Sequence, residues 1–176
     1  MIEGELIVNP DIGFEREIVS AVIKHLVESG KKKLGQEAVI PRQILPATDL
    51  NQPREVWEKD LTGGTINAYN PFVSDYKLSD KRLIAFWGVM KQDKGDDIVT
   101  TIRFRSSTEK VIGYWEIEDL EPGDKAILTK PQDAPIYDPK DSVDIYFYIE
   151  AQGITRLKLL GAVVEMPEII MGPKSW

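Results

Sequence analysis

The chain has 176 residues, 42% of them hydrophobic and 29% charged, a balance that fits one folded domain and excludes an intrinsically disordered chain. A formal net charge of −7 argues against nucleic acid, because phosphate binding needs a basic field. With no cysteine and one histidine, disulfides, thiol chemistry, zinc ribbons and iron–sulfur clusters are excluded, and multi-imidazole metal sites are too.

Residues 2–8, "IEGELIV", suit a short strand ended by Asn9-Pro10. The N-terminus has neither a basic segment nor a cleavable apolar one, and no apolar run approaches the roughly 20 residues of a membrane span. The expectation is a soluble protein kept in the cytoplasm of the cell that makes it. Residues 11–30, "DIGFEREIVSAVIKHLVESG", carry a helical pattern. Asp11 is the candidate N-cap, Glu15 and Glu17 suit the first turns, and Gly30 is the expected stop. Ile18, Val22 and Leu26, widened by Val19 and Ile23, form a stripe broad enough to pack on the open face of a sheet. The lysines at 31–33 follow the expected helix end, where they complement its carbonyl dipole.

From 36 to 82 the periodicity is lost. This stretch holds four prolines and a Gly-Gly pair, interrupted by short apolar knots. An irregular connection of that length is unusual in a compact domain, and its apolar content points to an extended arm ordered by contact with something else.

Beyond it come six candidate strands: 82–90, 97–105, 110–117, 125–130, 143–150 and 154–165. Their turns have the expected chemistry, as in "EPGD" and "AQG". No helical pattern separates them, so antiparallel pairing is expected. The fold class is mainly β, an antiparallel β-sandwich or jelly roll with one N-terminal helix and a long irregular arm. As parts of one domain, 1–35 is the strand and helix, 36–82 the arm, 83–166 the sandwich core and 167–176 a tail. The 82–90 strand is apolar on both faces and belongs in mid-sheet or beneath the helix. Gly161 fits a bulge.

Alternation sorts the side chains by face. In "VDIYFYIE" Val143, Ile145, Phe147 and Ile149 form a core wall, leaving Asp144, Tyr146, Tyr148 and Glu150 opposite. If the strands share a sheet, an outward surface combines Arg103, Arg105, Tyr114, Tyr146 and Tyr148. Tyrosine and arginine are the residue types enriched at protein interfaces. Trp57 and Trp176 are the tryptophans free to serve as platforms, since Trp87 and Trp115 read as inward-facing. Ile169, Ile170, Met171 and Trp176 sit in a tail too short and too broken by proline and glycine to bury itself. Either the tail folds back over its own sandwich, or neighbouring chains complete it.

No catalytic set is visible. His25 falls mid-helix at the edge of the apolar stripe, which suits a structural role, and no nucleophile elbow or phosphate loop occurs. Two acidic turns, Asp93/Asp96/Asp97 and Asp138/Asp141/Asp144, have the hard oxygens that calcium takes, but lack an EF-hand spacing and equally suit ordinary turns. The expectation is no metal and no cofactor.

In the shape of the whole chain, the protein resembles the jelly-roll capsid decoration, or cement, proteins of tailed phages. The features that carry this are an acidic sandwich, an N-terminal helix, an extended arm and the absence of a catalytic set. The resemblance implies a virion component assembled in the host cytoplasm. It implies a homo-oligomer, a trimer among the possibilities, seated on a larger shell such as a major capsid protein, with no nucleic acid or membrane partner. Multivalent contacts would stabilise the shell. The alternative is a carbohydrate- or ligand-binding β-sandwich, an adhesin or an enzyme accessory module.

Overall fold

The computed structural model describes residues 4–35, 38–92, 98–107 and 110–167. Its strands in chain order are β1 (Leu6–Val8), β2 (Ile40–Gln43), β3 (Lys59–Asp60), β4 (Ala68–Lys77), β5 (Arg82–Lys91), β6 (Val99–Arg105), β7 (Val111–Glu116), β8 (Lys125–Leu128), β9 (Ile136–Tyr137), β10 (Ser142–Ile149), β11 (Ile154–Thr155) and β12 (Leu157–Glu165). Two α-helices, α1 (Ile12–Leu34) and α2 (Pro46–Leu50), accompany them.

One sheet has the order β1-β8-β5-β12-β2, with β9 also on β5, and the facing sheet has the order β4-β10-β6-β7. Every pairing is antiparallel. Counting β2, β4, β5, β6, β7, β8, β10 and β12 as strands one to eight, the sheets run 1-8-3-6 and 2-7-4-5. That is the strand order of a jelly roll, with β1 added at the β8 edge. The sandwich arises because each inward face is apolar: Val143, Ile145, Phe147 and Ile149 of β10 are all at most 1% exposed. Phe104 on β6 meets Phe86 on β5 across the layers at 5.2 Å between ring centres, and Trp115 on β7 at 4.7 Å. Those distances are in the range where tilted and edge-on rings attract.

The helix begins as expected, with Asp11 Oδ1 accepting from the Phe14 N–H at 2.8 Å. It does not stop at Gly30. It runs on through the three lysines to Gly35, whose φ of 66° gives the left-handed cap that favours glycine. Gly30 is instead a point of close approach: a Cβ there would lie 2.6 Å from Val164 Cγ1, so its bare backbone lets α1 settle onto β12. Ile18, Val22 and Leu26 are buried beneath the helix. β5 lies mid-sheet as expected, and α1 packs on it. The register shift between Leu160 and Gly161 is the anticipated bulge.

The stretch 36–82 is not an extended arm. It supplies β2, α2, β3 and the ten-residue β4, which pairs with β10 along its length. Pro71 hid that strand from a reading of periodicity, and the sheet tolerates it because β4 is an edge strand. Buried Asn70 then ties down the preceding turn, accepting from the Thr65 N–H at 2.8 Å and donating to the Thr65 and Ala68 carbonyls. Among the described residues no helix is long and apolar enough to cross a membrane.

Tyr137 is wholly buried and donates to the Asp144 carbonyl at 3.1 Å. Burial pushes its phenol well above the ordinary value of 10.0, with the nearby charge of Asp144 adding to the rise. Below pH 10 both folded and unfolded chains hold the proton, so the full stabilisation is present. Above it the unfolded chain releases a proton that the folded chain keeps. Stability then falls with a slope of about 1.36 kcal/mol per pH unit from this residue. Urea midpoints followed between pH 9 and 12 will show the decline, and Tyr137→Phe will flatten it while costing about 1 kcal/mol at neutral pH.

Candidate interaction face

The two outer faces of the sandwich differ. α1 covers the face formed by β5, β8 and β12, whereas no described helix covers the outer face of β4-β10-β6-β7. On that bare face the strand registers line up two rows. Tyr114, Arg103, Tyr146 and Pro71 stand opposite one another, and beside them stand Glu116, Thr101, Tyr148 and Tyr69. Arg105 and Asp144 are the partners in the next row.

The sequence therefore identified five residues that the fold does bring together: Arg103, Arg105, Tyr114, Tyr146 and Tyr148, each half-buried. Periodicity missed Tyr69, which sits on β4 just before Pro71, in a stretch where alternation is broken. Tyr69 is central to the geometry. The guanidinium carbon of Arg103 lies 3.9 Å from the Tyr69 ring centre and 5.3 Å from that of Tyr146. Tyr69 and Tyr148 meet edge-on at 5.3 Å. Burial leads the causes that raise the Tyr69 phenol above the ordinary value, with neighbouring Tyr114 adding to the rise and the Arg103 charge opposing it. A guanidinium over an aromatic ring is a favourable arrangement. Arg103 Nε is a buried atom with no hydrogen-bond partner. At one end of the face, Tyr69, Tyr114 and Tyr148 border a hollow of about 210 Å³ whose rim carries Glu116, Glu118 and Glu150.

The other candidate residues fare differently. Trp57 is no free platform: it is 8% exposed and its ring is stacked on Phe72 at 6.3 Å, because the segment carrying it folds against the sandwich. Trp115 is buried between the sheets as expected, whereas Trp87, next to inward Phe86 on β5, is buried on the opposite side of that sheet, where it lines an apolar groove beside α1. Ile169, Ile170, Met171 and Trp176 lie outside the described residues, as do Asp93, Asp96 and Asp97. In the other acidic turn each carboxylate has its own partner. Asp141 accepts from the Asp138 N–H at 3.0 Å, Asp144 accepts from the Asp75 N–H at 2.7 Å, and Asp138 pairs with Lys33. Among the described residues no group of three or more His, Cys, Asp or Glu side chains is arranged to hold a metal ion. His25 is exposed on α1.

One charged cluster escaped sequence reasoning, because its members come from four separate elements. Arg42 on β2 grips Asp49 on α2 through two hydrogen bonds of 2.7 Å, and reaches Glu165 on β12 at 2.6 and 3.1 Å. Arg82 on β5 lies 2.8 Å from Glu165 and 3.5 Å from Asp49. Asp49 also accepts from the Leu45 N–H at 2.7 Å. The bonds to Asp49 lead the effects that hold Arg42 protonated beyond its ordinary range. Both carboxylates are at most 1% exposed, and all four of their oxygens are engaged. A carboxylate so committed is a clamp between elements rather than a poised base.

The class these observations define is a jelly-roll β-sandwich with one helix-covered face and one bare face of tyrosine and arginine. Comparison of the chain with protein-family models, with curated proteins and with solved structures finds no match.

Proposed function

We propose that the protein is a non-catalytic assembly component that docks through the outer face of its β4-β10-β6-β7 sheet. In this reading it is a virion protein, of the capsid-decoration or minor-capsid kind, that associates with itself and with a larger protein shell. The observation that carries the reading is Arg103 lying over the rings of both Tyr69 and Tyr146 on the uncovered face. Half-buried aromatics around a stacked arginine offer large apolar area with little rotamer entropy to lose, the composition of interface hot spots. The jelly-roll order supports the virion setting by fold-level analogy, since capsid proteins use it widely. Several such faces engaged together would give tight binding from modest single contacts.

Native mass by light scattering tests the self-association. The wild-type chain will exceed its monomer mass of 19.9 kDa. Arg103→Glu will return it to the monomer while lowering folding stability by about 1–2 kcal/mol, the worth of a half-buried cation–π contact. A wild type that stays monomeric at every concentration would overturn the reading.

The hollow rimmed by Glu116, Glu118 and Glu150 favours a second reading, a carbohydrate-binding sandwich, because sugar faces stack on tyrosine and sugar hydroxyls bond to carboxylates. Glycan titration separates the two. Binding lost on Tyr148→Ala and Glu116→Gln, in a chain of monomer mass throughout, would favour the sugar.

A further inference from the structure

The bulge at Gly161 divides the outer edge of β12. A Cβ at that position would lie 2.2 Å from the Ala85 carbonyl oxygen, so only glycine lets the strands come this close. On one side of the bulge, from Ala162 to Glu165, β12 pairs with β2; on the other, from Leu157, it keeps only β5 as a partner. Helix α1 packs over β5, β12 and β2, and an apolar groove of about 330 Å³ is left between helix and sheet. Val19 and Ile23 form its helical wall, Leu160 lies on its sheet side, and Trp57 and Trp87 border it. That volume and lining fit a site for a small molecule, which wants an apolar body of wall and a few polar groups to fix orientation.

The charge of the groove runs against that of the chain. Acids outnumber bases by 29 to 22 in the sequence, yet the described residues that line the groove include no Asp or Glu and two cations, Arg42 and Lys158. Arg42 already has buried Asp49 and Glu165 as counter-charges. Lys158 has none: it is half-buried on β12 and makes no hydrogen bond or ion pair with a described residue. An anion beside its ammonium would gain a charge-assisted bond without displacing an existing partner.

We propose that the groove binds a small amphipathic acid, its apolar body between α1 and the two tryptophans and its carboxylate on Lys158 Nζ. From Lys158 to Ala162 the β12 part of the lining runs four residues, about 14 Å at ~3.4 Å each, a length suited to a medium-chain fatty acid. The groove is on the other outer side of the sandwich from the tyrosine–arginine face, and the proposal is independent of that face.

Fluorine NMR on the full chain labelled with fluorotryptophan reads the groove directly. Decanoate, added below its micelle concentration, will shift the Trp57 and Trp87 resonances saturably and leave that of Trp115, buried between the sheets, where it was. Decanol and decylamine will bind more weakly. Lys158→Met, which keeps an apolar stem, will weaken decanoate about tenfold, the worth of a hydrogen bond to a charged group, and leave decanol unchanged. Lys158→Glu will reverse the preference in favour of decylamine. Trp57 and Trp87 resonances that decanoate does not move would overturn the proposal. So would equal affinity for decanoate and decanol in the wild type, or movement of Trp115 together with the other two, the mark of general surfactant action.

Discussion

Asp49→Ala will destabilise the protein by about 3–5 kcal/mol, a large part of the stability of an ordinary domain. The substitution removes a fully buried carboxylate that receives two hydrogen bonds from Arg42 and one from the Leu45 N–H. Two guanidinium groups are then left around Glu165 alone, and the Leu45 N–H loses its acceptor. The cost comes mainly from stranding those groups, since a whole buried network replaced by well-packed apolar side chains is often nearly neutral. Urea denaturation measures it directly. Because the cluster joins β2, α2, β5 and β12, the loss should appear as a lower midpoint of a single transition. A change of less than about 1 kcal/mol would mean that the cluster does not hold those elements together.

Phe104→Ala carries a comparable cost of about 3–5 kcal/mol, by a different mechanism. Phe104 is wholly buried, and its ring bridges Phe86 in the facing sheet and Trp115 on the neighbouring strand. Truncation loses the transfer of the ring out of water and leaves a cavity that two rigid neighbours cannot collapse into. The two ring pairs, one tilted and one edge-on, add about 0.5–1.5 kcal/mol each beyond buried area. The expected result is a lower urea midpoint with an unchanged denaturant slope, since the surface exposed on unfolding barely alters. The variant Arg103→Glu should lower the midpoint far less, which separates the core from the outer face.

Strict alternation made the sandwich legible in the sequence. β10 shows why: four apolar residues at odd positions and a polar or aromatic one between each pair leave a single way to face the core, and the structure follows it. The N-terminal cap was equally legible, because Asp11 acts within its own turn. Where the reading failed, local chemistry was overruled by distant contacts. Gly30 looks like a helix stop, yet it is the place where the helix must touch Val164, and the true cap lies five residues on at Gly35. Pro71 looks like a strand breaker, yet it costs little on an edge. The tyrosine–arginine face was half legible. Its β6, β7 and β10 members follow from alternation, while Tyr69 comes from the strand that Pro71 disguised. The Arg42–Asp49–Arg82–Glu165 cluster was invisible, because nothing local joins residues 42, 49, 82 and 165 until the strand order is known.

Hydroxyl-radical footprinting of the wild-type protein, at a concentration where it associates, against its Arg103→Glu variant reads the tyrosine–arginine face itself. Tyrosine rings react readily, and Tyr69, Tyr146 and Tyr148 stand half-open on the bare face. The expected result is strong protection of these three in the associated wild type and recovery of their reactivity in the variant, with buried Tyr137 unreactive in both. Equal labelling of the three tyrosines in both proteins, with protection elsewhere on the associated wild type, would contradict the assignment of this face as the docking surface.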